Sequence, residues 1–285
     1  MDKLVSAKKT KEIVNKHGFK FSKSLGQNFL IDENILYSIV HGSNVTKEDT
    51  VIEVGPGIGT LTQVLCEEAK RVVAIEIDKT LIPILGETLG DKDNIDIVNE
   101  DVLKVDVHTL LRDLKVEGSI KLIANLPYYI TTPIVMKFLE EKVPVKGITV
   151  MIQKEVADRM RASAGTKEYG ALSVAVQYYC EPHIITKVPR SVFIPQPKVE
   201  STVINLEVLE KPRVQVRDEK LLFKIVRAAF GKRRKTLLNA LSNSGLNFEK
   251  DFIREALERA EIDPKRRGET LSIDEFAKLA DAFII

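Results

Sequence analysis

The segment Asn125-Leu126-Pro127-Tyr128 closes the apolar run KLIA at 121–124 with an amide, a proline and a phenol, where a simple turn needs only glycine or aspartate. Those residue types can act together on an amine attached to an aromatic ring. Such a nitrogen is a poor nucleophile because its lone pair is delocalised into the ring. The side-chain oxygen of Asn125 and the backbone carbonyl of Leu126 can accept its two N–H groups and draw the nitrogen towards tetrahedral geometry, which frees the lone pair. Pro127 fixes the backbone that aims the Leu126 carbonyl, and Tyr128 offers a face on which a base can stack. The chemistry asks for positioned acceptors rather than a strong base, since the amine becomes acidic once it has attacked an electrophile.

A constellation of this kind must sit at the end of a strand. Short β-branched runs alternate with helical patterns: VIEV 51–54, VVAIE 72–76, IDIV 95–98, KLIA 121–124 and ITVMI 148–152. That alternation reads as a parallel sheet with covering helices. VIEVGPGIGT at 51–60 runs from a strand through a glycine-rich turn into a helix. Gly55, Gly57 and Gly59 form G-x-G-x-G with Pro56 in the turn. This departs from the G-x-G-x-x-G that sets a helix N-terminus on a pyrophosphate, and points to a nucleoside ligand without one. Glu76 ends the second strand, about 20 residues past the first glycine, where an acid accepts from both ribose hydroxyls. Asp101 follows the third strand, placed to accept from an adenine amino group. Each acid taken singly reads as a helix cap or a solvated loop charge; in succession at neighbouring strand ends they line one crevice.

The chain has 285 residues, 44% of them apolar, enough for a large and a small domain. Cys66 and Cys180 are far apart and the four histidines are scattered, so neither a disulfide nor a metal site is expected. No run approaches about 18 apolar residues and the start MDKLVSAKKTK lacks a leader's apolar segment, so a cytoplasmic protein outside the membrane is expected. The formal net charge of +2 hides clustering: Lys3, Lys8, Lys9, Lys11, Lys16, Lys20 and Lys23 crowd the start, and Lys232-Arg233-Arg234-Lys235 and Lys265-Arg266-Arg267 mark the last quarter. Such regions suit a polyanion, or are simply solvated faces. Thr132 reads as an N-cap with Pro133 at the first helical position, and LSVAVQYY at 172–179 fits both the helix and the strand period. From about 208 the pattern turns helical throughout, with Ser272 and Glu275 forming a capping box. The expected division is an α/β domain over 1–207, with a basic N-terminal arm, and a small helical domain over 208–285.

Glycine loop, ribose acid and adenine acid together resemble the Rossmann-like α/β fold of class I S-adenosylmethionine-dependent methyltransferases, here followed by a small all-helical C-terminal domain. NLPY fits the signature of their amino-methylating members: Asn, Asp or Ser, any residue, Pro, then an aromatic. With SLGQNFLID at 24–32, VFIPQPKVESTV at 192–203, RASAGTKEYGALSVAVQYY at 161–179 and FGKRRKTLLNAL at 230–241, the whole chain resembles the ribosomal RNA adenine dimethyltransferases, and most of all their bacterial small-subunit type.

The resemblance implies S-adenosylmethionine as cofactor, held by Gln27, Asn28, Leu30, Gly55, Gly57, Glu76, Asp101 and Asn125. It implies catalysis by Asn125, Leu126, Pro127 and Tyr128, with Phe193 sandwiching the flipped adenine against Tyr128. It implies RNA contacts by Lys232, Arg233, Arg234 and Lys235, and dimethylation of two adjacent adenines near the 3′ end of 16S rRNA in the immature small subunit by a monomer. One departure is Tyr129, where many members carry asparagine. Open alternatives are a 23S adenine methylase of the erythromycin-resistance type and a non-catalytic assembly or RNA-binding factor. An oxidoreductase is disfavoured by the glycine spacing, and a DNA amino methylase by the lack of room for target-recognition insertions.

Overall fold

A computed structural model describes residues 4–22 and 25–284. Lys3, Lys23 and Ser24, the first residue of SLGQNFLID, lie outside the described residues. In chain order the elements are α1 (Ala7–Lys16), β1 (Phe29–Leu30), α2 (Glu33–Gly42), β2 (Asp49–Val54), α3 (Thr60–Glu68), β3 (Arg71–Ile75), α4 (Ile82–Thr88), β4 (Ile95–Val98), α5 (Val107–Asp113), β5 (Ser119–Asn125), α6 (Thr131–Glu140) and β6 (Val145–Gln153). There follow α7 (Lys154–Met160), α8 (Ala171–Tyr179), β7 (Cys180–Val188), β8 (Phe193–Ile194), β9 (Ser201–Val208), α9 (Glu219–Gly231), α10 (Leu237–Ser242), α11 (Lys250–Arg259) and α12 (Ile273–Ala282).

The chain forms two compact units, one of residues up to Ala157 with His183–Val208, the other of Asp158–Pro182 with residues from Leu209 onward. In the first, a seven-stranded sheet has the order β4-β3-β2-β5-β6-β9-β7. The pairs from β4 through β6 are parallel, and β9 runs antiparallel to β6. Every residue of β2 is buried, as a strand covered on both faces requires. The chain steps outward from β2 to β3 and β4, then returns to lay β5 on the other side of β2. That reversal opens a crevice at the carboxyl ends of β2 and β5, where open α/β sheets bind ligands. The five strands expected from β-branched runs fall on β2 to β6.

The start of the chain packs on the same unit. Leu4, Ile13, Phe29, Ile58, Leu81 and Ile84 form an apolar cluster with Phe19 and Phe21 against it. The backbone N–H of Leu4 donates to Gln63 Oε1 at 3.1 Å.

The helix after NLPY begins two residues before the position expected. Ile130, not Thr132, is the N-cap, and Thr131 is the first helical residue. The turn is closed instead from Pro127, whose carbonyl accepts the Ile130 N–H at 3.2 Å and the Thr131 hydroxyl at 3.1 Å. Pro133 then falls at the third position, where its missing N–H has no intrahelical acceptor to lose.

The second unit differs from a contiguous 208–285 domain, because residues 158–182 pack with the later helices. The ambiguous run at 172–179 is helix α8. Its end sets Tyr178 and Tyr179 on the Phe223 ring of α9, with centroids 5.2 and 5.9 Å apart. Tyr169 donates its hydroxyl to the Leu271 carbonyl at 2.9 Å, and the capping box of Ser272 with Glu275 is present. Apolar periodicity announced a buried face on 172–179 but not which neighbours cover it.

Gly268 marks the tightest approach in this unit: a Cβ there would lie 2.9 Å from both the Cβ and the carbonyl oxygen of Ala229. Gly268→Ala is therefore expected to destabilise the protein by about 1–3 kcal/mol, the usual cost of overpacking. Chemical denaturation measures this, and an unchanged midpoint would show that Ala229 moves aside freely.

Candidate active site

The carboxyl ends of β2, β3, β4 and β5 converge on one cleft of about 1030 Å³, counted to its open mouth. Gln27, Asn28, Leu30, Gly55, Gly57, Glu76, Asp101, Asn125, Leu126, Pro127 and Tyr128 all line it.

The glycine turn needs glycine for two separate reasons. Gly55 and Gly57 have φ of +70° and +62°, a region that side chains disfavour. A Cβ on Gly57 would also lie 3.0 Å from the Phe29 ring. Opposite the turn, Glu76 is buried, and its two carboxylate oxygens accept the backbone N–H groups of Asp78 at 2.8 Å and Gly57 at 3.3 Å. Burial outweighs these bonds and pushes its pKa up to about 7. The β4 end is tied to the β3 end, because Asn99 Nδ2 and the Glu100 N–H both donate to the Glu76 carbonyl, at 2.7 and 3.1 Å. That holds Asp101 beside Glu76, with its Oδ1 accepting the Leu103 N–H at 3.0 Å.

Asn125 ends β5 with its side chain fixed. Its Nδ2 donates to the Asn28 carbonyl at 3.1 Å, which leaves Oδ1 as the free acceptor. Asn28 is held in turn by its own Nδ2 on the Gly26 carbonyl at 2.9 Å. Leu126 is buried, and its N–H donates to the Met151 carbonyl at 3.3 Å. The Tyr128 hydroxyl lies 2.6 Å from Ser201 Oγ, so β9 anchors the far edge of the ring. Gln27 is committed at both ends: Oε1 accepts the Ser22 N–H at 2.7 Å and Nε2 donates to Asp78 Oδ2 at 2.8 Å.

Two of the expected site residues already make contacts within the chain. Phe193 is 2% exposed, packs in the apolar cluster with Leu36, Ile39 and Met151, and is not among the residues of the cleft wall. It stands opposite buried Leu30 in the β1–β8 pair, so both project to one face, the core side. Among the four cations, Arg233 is already engaged, donating to the Lys167 carbonyl at 2.8 Å and lying 3.4 Å from Glu269. Lys232, Arg234 and Lys235 are exposed.

The sequence reading missed Glu53. It lines the cleft, is 1% exposed, and its Oε2 has no hydrogen-bond partner. Burial pushes its pKa up to about 8, with the charge of Glu76 adding to the rise. The signal was available, since an acid stands inside an otherwise apolar strand at VIEV. Tyr129, the departure from the family pattern, also lines the cleft; it is 55% exposed and lies against Gly26, where a Cβ would sit 3.4 Å from its ring. Among the described residues no group of His, Cys, Asp or Glu is placed to hold a metal, and no described helix is long and apolar enough to cross a membrane.

Because both acids bind a proton more tightly folded than unfolded, their contribution to stability is complete below about pH 4.5. It is lost as pH rises through about 7 for Glu76 and about 8 for Glu53. Glu53→Gln is expected to flatten the fall in melting temperature between about pH 5 and 9. A slope equal to that of the parent chain would contradict a buried, proton-holding Glu53.

Residues 18–283 match the family model described as ribosomal RNA adenine dimethylase. The chain is 64% identical to ribosomal RNA small subunit methyltransferase A of Alkaliphilus oremlandii over 99% of its own length and 98% of that protein's. It is 61% identical to the protein of the same name from Clostridioides difficile, over 99% and 97%. Among solved structures it is similar to a dimethyladenosine transferase from Plasmodium falciparum, with a TM-score of 0.74, 26% identity, and coverage of 88% of this chain and 95% of that one. The 23S rRNA methyltransferase ErmE shares the fold, with a TM-score of 0.66 at 24% identity over 90% and 99%. A strand-end amide with its oxygen left free, set beside two buried acids and a glycine turn, is thus found in a chain that belongs to the ribosomal RNA adenine dimethylase family.

Proposed function

We propose that the chain transfers methyl groups from S-adenosylmethionine to N6 of two adjacent adenines near the 3′ end of 16S rRNA, in the immature small ribosomal subunit, acting in the cytoplasm as a monomer without metal. The observation that carries the mechanism is the Asn125 amide, whose nitrogen is spent on Asn28 so that its oxygen faces the cleft as an acceptor.

The residues present fit the cofactor. Glu53 Oε2 is a buried oxygen without a partner on the cleft wall, which suits a ligand carrying a positive charge. Glu76 would take the ribose hydroxyls, and such donors favour its charged form. Asp101 would take the adenine amine, the turn at Gly55 and Gly57 would pass the ligand closely, and Asn28 and Leu30 would border its methionine end. When bound, the cofactor supplies an electrophilic methyl on a sulfonium.

The protein's part is positioning. Asn125 Oδ1 and the Leu126 carbonyl accept the two N–H groups of the target adenine, and Tyr128, braced by Ser201, gives the base a face to stack on. Burial raises the Tyr128 pKa, so its hydroxyl stays protonated and the ring neutral. After the first transfer the nitrogen keeps one N–H; a second transfer uses a single acceptor and needs the first methyl turned aside. The leaving proton passes to the acceptors and on to solvent. Lys232, Arg234 and Lys235 are read as phosphate contacts.

Asn125→Ala removes one preorganised acceptor and is expected to slow single-turnover transfer roughly 10²–10³-fold. Glu76→Ala should instead weaken cofactor binding first. Near-normal transfer by Asn125→Ala would refute the mechanism. The substrate is tested by offering labelled S-adenosylmethionine with immature small-subunit particles and, separately, large-subunit RNA, followed by mass spectrometry of nuclease fragments. Two methyls on each of two neighbouring adenines in the small-subunit RNA are expected. Label on large-subunit RNA alone would overturn the substrate assignment, and tight particle binding without label would point to an assembly factor.

A further inference from the structure

The second unit carries a groove of about 1090 Å³, counted to its mouth, between α9 and the loop that follows α10. One wall is α9, which presents Lys224 and Arg227 and leads into Lys232. Positions 224, 227 and 231 share one helix face, and the span from Lys224 to the helix end is about 10 Å at ~1.5 Å per residue. The other wall offers Asn243, Ser244 and Asn247. Gly245 and Asn247, with φ of +78° and +60°, turn that loop back along the groove.

No acidic residue lines this groove. Some cations elsewhere in the unit meet partners: Arg213 pairs with Glu181, Arg254 with Asp251, Arg259 with Glu255 and Arg266 with Glu275. By contrast, the side chains of Lys224, Arg227 and Lys232 have no ion pair or hydrogen bond among the described residues, and all three are exposed. Like charges gathered in a concavity repel one another and raise the local concentration of anions. The opposite wall is polar, and Asn243 Nδ2 is tied to the Asn239 carbonyl at 2.9 Å, so its oxygen is the group left to accept.

We propose that this groove binds the sugar-phosphate backbone of RNA, with Lys224, Arg227 and Lys232 on successive phosphates and the asparagine and serine side chains towards ribose 2′-hydroxyls. The inference rests on the RNA-methylating reading above and extends its contact surface along α9, beyond the basic cluster at 232–235. A row of cations facing a row of polar groups matches a backbone that alternates charge and hydroxyl. RNA is preferred to an acidic peptide because the proposed substrate already supplies such a backbone.

The test is the full chain carrying Lys224→Gln and Arg227→Gln, titrated with immature small-subunit particles over a range of salt. Losing two phosphate contacts should reduce the slope of log K against log salt by roughly 1.4–1.8 units, with cofactor binding and melting temperature unchanged. Lys224→Glu with Arg227→Glu should weaken binding further. An unchanged slope in a chain whose wild type binds and methylates overturns the groove alone; a wild type that does not bind ribosomal RNA overturns both readings. Inorganic phosphate competing as well as RNA at equal ionic strength would overturn a backbone track in favour of a single-anion site. Polyglutamate competing equally would overturn the commitment to RNA.

Discussion

The pairing of β5 beside β2 is the constraint on which the rest of the first unit depends. The register sets Asp49 opposite Ser119 and Val51 opposite Lys121. Below the strand ends that carry the site, Lys121 Nζ lies 3.2 Å from Asp49 Oδ2 and donates to the Ser43 carbonyl at 3.2 Å. Burial pulls the Asp49 pKa up, but hydrogen bonds from Ser119, Thr46 and Lys121 outweigh it and keep the carboxylate ionised. With that end pinned, Glu53 on β2 and Asn125 at the end of β5 have fixed heights. A slip of one residue would turn Asn125 to the opposite face of the sheet. The height of the Asn125 amide is therefore tied to a charged contact at the other end of the same two strands.

Fixing the strands also forces two carboxyl groups into low-dielectric surroundings at the crevice. Glu76 meets this partly through two backbone N–H donors, Glu53 by holding a proton. The charge of Glu76 raises the pKa of Glu53 further, so neither carboxyl group is fully satisfied within the chain. Stability is lost here so that binding can recover it, as sites with displaced pKa values commonly show.

The sheet was legible where strands are buried on both faces, because continuous β-branched runs such as VIEV and ITVMI have no other easy reading. β7 was not legible. It ends the sheet, carries Pro182 and is mostly half-buried, so its alternation is weak. The site was legible as positions but not as side-chain directions. Glu76, Asp101 and Asn125 follow from strand ends, whereas the burial of Phe193 opposite Leu30 comes from a two-residue strand pair that its motif does not announce. Arg233 shows the same limit, since a basic run does not reveal which of its members the fold has already used.

The wall of the cleft is not made by the sheet alone. Phe29 covers Gly57, and its other side is occupied by Phe19 and Phe21, with ring centroids at 5.9 and 5.1 Å. Those rings come from the basic arm, whose helix α1 has 10 residues and would be marginal in isolation. What orders it is apolar: Leu4 and Ile13 bury themselves against Ile58, Leu81 and Ile84. The lysines of α1 are thereby carried on an apolar scaffold. Because Phe29 joins the arm to the glycine turn, any displacement of the arm reaches the backbone at Gly57, and through it one of the two donors that hold Glu76.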